Sequence, residues 1–189
     1  MGFIDTIKRW RLVQKGMSSG AKRRTQNESA VAGAVNRSPF SRAGLYVLFG
    51  FFIIALVLNS SADSPFGGDK IAASLFALLF TLVGVFIFEQ TQSARPKSRE
   101  VALVFGGIFI HLVFIFAVSS IPSGELFDNK FRILVLPYAF APMIHSVLIG
   151  RKTGIFTSVM CAFFGALMVP SQMVLYYFII SLIVGMVVV

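Results

Sequence analysis

Two histidines, His111 and His145, are the only side chains suited to general acid–base chemistry that lie deep within apolar runs of this sequence. Such chemistry needs titratable groups within hydrogen-bond reach of each other. Two imidazoles without a carboxylate partner make a poor proton relay, and a neutral histidine in such a run often bonds to a neighbouring helix. A ligand contact is the alternative, because polar groups surrounded by hydrocarbon are frequently functional.

Other arrangements that carry chemistry are missing from the sequence. It has no paired carboxylates within one element, and no His/Cys cluster with the spacing of metal ligands. It also lacks a glycine-rich loop after a strand and a nucleophile elbow. We therefore expect no catalytic, cofactor-binding or metal-binding residues in this chain, and no activity of its own as an enzyme.

The apolar run that contains His145 also contains two prolines, Pro137 and Pro142. Each removes a backbone donor and clashes with the carbonyl four residues earlier, so we expect a helix here to kink or break. Broken helices can line a binding site, or they can be packing kinks, and both interpretations stay open. The candidates for ligand binding or helix packing are therefore Pro137, Ala141, Pro142, Met143, His145 and His111.

The elements that position these residues are apolar throughout. The chain is 56% hydrophobic and 13% charged, with a mean hydropathy of +0.81. A soluble protein of this size could not hide so much apolar surface, whereas lipid accepts it. Continuous apolar runs in hydrocarbon must be helices, since a helix satisfies its own backbone groups. We predict an all-α bundle of about six transmembrane helices, at 43–58, 71–88, 101–118, 133–149, 154–169 and 173–189.

The distribution of charge predicts the orientation. Segment 1–42 carries nine Lys/Arg and two acids, which gives seven of the nine net positive charges. The connections that share its side of the membrane are richer in Lys/Arg than those on the other side. The positive-inside rule therefore predicts a cytoplasmic N-terminus in the inner cell membrane. The same basic segment is expected to attract anionic inner-leaflet lipid rather than nucleic acid.

Two domains are predicted from this distribution, a basic N-terminal segment at 1–42 and a transmembrane domain at 43–189. The segment contains a candidate interfacial helix, because apolar residues recur at helical spacing among its basic ones. These apolar residues are Phe3, Ile7, Trp10, Val13 and Met17. The last apolar run reaches Val189 without a polar flank, from which we expect the chain to be a fragment of a longer protein.

Residues 136–168, LPYAFAPMIHSVLIGRKTGIFTSVMCAFFGALM, resemble the membrane domain of the seven-transmembrane HD phosphohydrolases. Members of that bacterial family show a Pro-x-Ala-x-Ala-Pro-Met start to a span, here Pro137, Ala139, Ala141, Pro142 and Met143. A short loop and a further apolar helix follow. The basic start of the chain, KRWRLVQKG, is also similar to the segments that precede the family's first span.

The resemblance implies a membrane anchor and sensor for a cytoplasmic HD domain. That domain would be a divalent-metal-dependent hydrolase of cyclic dinucleotides such as cyclic di-AMP, and its His and Asp ligands have no counterpart here. Family members carry a large extracytoplasmic domain after the first span, whereas this chain has only residues 59–70 there. Two alternatives remain: the membrane component of a vitamin-type uptake transporter, and a cell-envelope scaffold protein. An oligomer formed through the helices is compatible with each.

Overall fold

The computed structural model describes residues 38–60, 69–91, 96–121 and 135–189. In these ranges the secondary structure is helical, without strands, which confirms the predicted all-α class. The helices are α1 (Pro39–Asn59), α2 (Lys70–Thr91), α3 (Ser98–Ser119), α4 (Phe140–Leu148), α5 (Arg151–Ala166) and α6 (Val174–Val188), with a 3₁₀ turn at Ser171–Met173 before α6.

Four helical segments in these ranges are long and apolar enough to cross a membrane: α1, α2, α3 and Ser171–Val188. At about 1.5 Å per residue, the first three are each about 30 Å long, which matches the hydrocarbon core of a bilayer. The other two, α4 with 9 residues and α5 with 16, are shorter. All six helices overlap the apolar runs predicted from the sequence.

The first turns of α2 and α3 are capped by acidic side chains. The Asp69 carboxylate accepts hydrogen bonds from the backbone N–H groups of Ile71 and Ala72, at 2.9 and 3.1 Å. The Glu100 carboxylate accepts one from the backbone N–H of Lys97, at 3.2 Å. These bonds satisfy donors that have no partner inside the helix, so α2 and α3 begin at defined residues.

The fourth apolar run is broken, as its prolines predicted. Residues 136–139 form a turn in which Tyr138 N–H bonds to the Leu136 carbonyl at 2.9 Å and Phe140 N–H bonds to the Pro137 carbonyl at 3.2 Å. α4 begins only after this turn. Pro142 consequently lies in its first turn, where the missing N–H would have had no helical partner.

A two-residue connection joins α4 to α5. The N–H groups of Ile149 and Gly150 both bond to the His145 carbonyl, at 3.0 and 3.1 Å, which ends α4. Gly150 has φ of 140°, a conformation that residues with a side chain rarely adopt. Its carbonyl accepts the first bonds of α5, from Thr153 and Gly154. α4 and α5 therefore form a tight hairpin.

By its packing the chain divides after Ser41 into two units, of which the second is Arg42–Val189. α5 is the central helix of this second unit, because eleven of its sixteen residues are buried and it packs against α2, α3, α4 and α6. Small residues allow close approach: an added Cβ at Gly84 would overlap Met160, one at Gly165 would overlap Tyr177, and one at Gly185 would overlap Ser158.

The candidate interfacial helix at Phe3, Ile7, Trp10, Val13 and Met17 lies outside the described residues. The boundary between the two predicted domains, at 42/43, falls within α1. α5 begins three residues before the predicted 154 and ends three residues before 169.

Candidate intramembrane site

His145 joins three helices through both of its ring nitrogens. Its Nδ1 lies 2.9 Å from Thr157 Oγ1 on α5, and its Nε2 lies 3.1 Å from the Leu103 carbonyl oxygen on α3. The side chain projects from α4 and is 1% exposed. A polar side chain in such surroundings stays in place because its hydrogen bonds are made. His145 therefore fixes the hairpin against α3.

Gly107 makes the contact with α3 possible. It lies four residues after Leu103, so its N–H is the helical partner of the Leu103 carbonyl. The second lone pair of that carbonyl is open to His145 only because Gly107 has no side chain, and an added Cβ would overlap the imidazole ring at Nε2. The neighbouring Gly106 is different, since a Cβ there would meet nothing within 4 Å.

The hydrogen-bond partners define which nitrogen of His145 carries the proton. A backbone carbonyl only accepts, so Nε2 donates to Leu103. In the neutral ring Nδ1 must then accept, and the Thr157 hydroxyl is its donor. The same hydroxyl lies 2.9 Å from the Thr153 carbonyl, one turn earlier on α5. One hydroxyl hydrogen thus serves two acceptors, and the orientation of Thr157 depends on His145.

His111 lies one turn beyond Gly107 on α3 and is fully buried. Within the part of the chain that the structure describes, neither of its ring nitrogens has a hydrogen-bond partner. His111 thus projects from the same face of α3 that His145 of α4 contacts, but the two histidines have different surroundings. His145 is bonded on both sides, whereas His111 is a buried donor and acceptor without an observed bond.

A family model described as "7TM receptor with intracellular HD hydrolase" matches residues 69–189, which is more than half of the chain. This chain belongs to that family. Comparisons with curated proteins and with solved structures give no match. The match begins at the residue that caps α2 and includes the hairpin with His145, so it confirms the membrane-domain resemblance inferred from residues 136–168. The chain is therefore a multi-pass membrane protein of the family of 7TM receptors with an intracellular HD hydrolase.

Of the other residues predicted for ligand binding or helix packing, some lie beside His145 and others do not. Ala141 and Pro142 are buried on the same helix as His145, one turn before it. Met143 is 53% exposed and points away from the interior. Pro137 is half-buried in the turn that precedes α4. Ala141 and Pro142 thus belong to the packed side of the hairpin in this family member, and Met143 does not.

Sequence reasoning missed Thr157, Gly107 and the Leu103 carbonyl. Thr157 has a readable signal, because Thr153 and Thr157 recur one turn apart within an otherwise apolar helix. Gly107 is part of a Gly-Gly pair in a span, which is a weaker signal. Nothing in the sequence could identify the Leu103 carbonyl, since every residue has one.

A second polar group, also missed, lies at one end of α1 and α2. Arg42 Nη1 approaches both oxygens of the Glu89 carboxylate, at 3.1 and 3.2 Å, and the Tyr46 hydroxyl donates to Glu89 Oε1 at 2.6 Å. Arg42 and Glu89 both lie just outside the predicted spans 43–58 and 71–88. The structure pairs them, so they join α1 to α2 at the edge of the membrane region.

The aromatic residues form a further connection that periodicity alone could not reveal. Phe105 on α3 makes edge-on contacts with Phe49 of α1, Phe88 of α2 and Phe156 of α5, with ring centroids 4.9, 5.4 and 6.2 Å apart. Edge-to-face geometry is the favourable arrangement at these distances. Phe105 and His145 therefore give α3 two contacts with the central hairpin, one apolar and one polar.

The described residues bring together no group of three His, Cys, Asp or Glu side chains that could hold a metal ion. The divalent ions implied by an HD hydrolase domain have no fitting donor set among these described residues. The lone cysteine of the sequence, Cys161, is fully buried on α5.

Proposed function

We propose that this chain is the membrane anchor and sensor region of a protein whose cytoplasmic HD domain hydrolyses a cyclic dinucleotide with divalent metal ions. Membership of a family named for an intracellular HD hydrolase supports this function over the transporter and scaffold hypotheses. The proposed location is the inner cell membrane with the N-terminus in the cytoplasm. The concentration of Lys/Arg in segment 1–42 supports that orientation.

The His145 bridge is the observation that carries the sensor role. A sensor needs a part of the fold with two arrangements that a signal can favour differently. The α4–α5 hairpin meets α3 through a polar bond between His145 and a backbone carbonyl, and Thr157 can donate either to His145 or to Thr153. A shift of the hairpin against α3 breaks only the bond from His145 Nε2 to the Leu103 carbonyl, whereas the bond between Thr157 and His145 lies within the hairpin and is kept.

The broken fourth run provides the freedom for that movement. Residues 136–139 form a turn, so α4 is not the rigid continuation of a long helix. The hairpin is closed at its other end by the two-residue connection at Gly150. In the proposed mechanism α4 and α5 shift together against α3, and the shift changes the activity of the hydrolase domain.

The experiment is to express the complete gene and to measure cyclic di-AMP hydrolysis in isolated membranes with Mn²⁺ or Mg²⁺. The proposal predicts metal-dependent hydrolysis in the membrane fraction, and loss of that hydrolysis from membranes that contain residues 1–189 alone. Membranes that contain the complete gene product but hydrolyse no cyclic dinucleotide would contradict the assignment. Co-purification of a stoichiometric vitamin instead would support the transporter hypothesis.

A further inference from the structure

An apolar groove of about 230 Å³ runs between α1 and α3, apart from the histidine site. Its floor is formed by Phe49 and Phe105, which are 3% and 2% exposed, and Leu48 on its rim is 54% exposed. The groove is thus closed towards the protein and open towards the surrounding membrane. Every residue that lines it is apolar.

The groove exists because large rings hold the two helices apart while small residues leave space between them. α1 meets α3 through ring contacts, with centroids 4.9 Å apart for Phe49–Phe105 and for Phe52–Phe109. Ala102 and Gly106 form part of the α3 wall, and an added Cβ at Gly106 would meet nothing within 4 Å. A void in hydrocarbon loses dispersion contacts, so a flexible apolar chain is favoured there.

The ring contacts also show that α1 and α3 run parallel. Phe49, the earlier residue on α1, contacts Phe105, the earlier residue on α3, and Phe52 contacts Phe109, which is later on α3. Both helices therefore begin at the same membrane surface. The lined stretch covers eight residues of each helix, or about 10 Å from its first to its last Cα at the usual rise. This is about a third of a hydrocarbon core, so the groove accommodates part of one acyl chain that enters from that surface.

Each wall of the groove is headed by an arginine. Arg42 precedes Leu45 by three residues on α1, and Arg99 precedes Ala102 by three residues on α3, so each lies on the lined face of its helix. The Arg42 side chain is paired with Glu89 and only 12% exposed. Lys97 and Arg99 are exposed at this end, and the strongly basic segment 1–42 leads directly into α1.

We infer that the groove between α1 and α3 binds one anionic phospholipid, with an acyl chain along the Ala102–Gly106 wall and the phosphate at Arg99 and Lys97. Guanidinium groups suit phosphate because they offer paired donors. The proposal goes beyond the sensing and hydrolysis functions, and it does not depend on the His145 bridge.

The test uses the full chain in phosphatidylcholine vesicles that contain a trace of photoactivatable phosphatidylglycerol or photoactivatable phosphatidylcholine with identical acyl chains. Labelled peptides are identified by mass spectrometry. Labelling of α1 and α3 at the groove should be about fivefold stronger with phosphatidylglycerol, as expected for one cationic contact near a membrane surface. Equal labelling by the two lipids would overturn the proposed headgroup recognition.

Two pairs of variants separate the groove from its surroundings. Gly106→Leu fills the groove and should abolish the labelling, whereas Gly44→Leu adds the same side chain to α1 where a Cβ also meets nothing within 4 Å, and should not. Lys97→Gln combined with Arg99→Gln should remove the preference for phosphatidylglycerol but keep the labelling, whereas Arg151→Gln, at the start of α5, should keep both. Ala102→Leu provides a second groove-filling change if Gly106→Leu does not fold.

Two results would overturn the assignment. Undiminished labelling in a folded Gly106→Leu or Ala102→Leu protein would show that the lipid lies elsewhere. Absence of labelling of α1 and α3 by either lipid would show that no lipid occupies the groove.

Discussion

α5 and α2 are both helices of the membrane region, yet they differ in burial and in polarity. α5 has 16 residues, eleven of them buried, and its interior positions include Thr153, Thr157, Ser158 and Cys161. α2 has 22 residues, six of them buried, and exposes large apolar side chains such as Leu79, at 60%. The polar helix is on the inside and the apolar helix is on the outside.

The difference shows what holds each region together. Lipid is as apolar as leucine, so burial of large apolar side chains gives little preference for protein over membrane. Close packing at small residues and hydrogen bonds must supply the specificity. In α5 these are the contacts to Gly84 and Gly185 and the bond to His145. In α2 the buried positions are also mostly small, such as Ala73, Ala77 and Gly84.

The sharpest test of this comparison uses the adjacent glycines of α3. Gly107→Ala should lower the free energy of unfolding by about 2–4 kcal/mol, because its Cβ displaces the His145 ring and leaves buried polar groups unpaired. Gly106→Ala should be neutral or stabilising by about 0.5–1 kcal/mol, because alanine favours helix and the added Cβ meets open space. Unfolding of the two variants in detergent micelles can be compared directly. Equal effects would show that His145 does not lie against Gly107.

A smaller effect is expected from removing one hydroxyl of the inner region. Thr157→Val keeps the shape of the side chain but removes the donor to His145, which should cost about 1–2 kcal/mol. Thr81→Val is the matched control. Among the described residues the Thr81 hydroxyl bonds to a carbonyl of its own helix, Ala77, so the change should be close to neutral. The measurement is again the unfolding transition. A control variant as unstable as Thr157→Val would remove the distinction between the two hydroxyls.

The smallest expected effect concerns the membrane edge. Tyr46→Phe removes the 2.6 Å bond to Glu89 and should cost about 0.5–1.5 kcal/mol. Glu89 keeps its ion pair with Arg42, which limits the loss. Tyr176→Phe changes a tyrosine that is 65% exposed and should have no measurable effect. If both tyrosine variants unfold at the wild-type temperature, the bond from Tyr46 to Glu89 contributes nothing to stability.

Much of the fold could be predicted from the sequence, because lipid leaves the backbone of a long apolar run few alternatives to helix. The break before α4 was also predictable, since Pro137 and Pro142 are chemically incompatible with an uninterrupted helix. The polar partner of His145 was not. This partner depends on which turn of α3 contacts α4, and on Gly107 rather than Gly106 facing the ring. A run that is apolar on every face indicates neither the contacting turn nor the contacting face.

In the proposed mechanism the bridge from Thr157 through His145 to the Leu103 carbonyl couples the α4–α5 hairpin to the hydrolase. Its most direct test is the rate of cyclic di-AMP hydrolysis by the complete gene product in membranes, for His145→Gln, Thr157→Val and the double variant. Coupling energies of about 1–3 kcal/mol correspond to changes of about fivefold or more. We predict that both single variants change the rate in the same direction by at least about fivefold. The double variant should add little to either, and Thr81→Val should leave the rate unchanged. Wild-type rates in all folded variants would contradict the coupling.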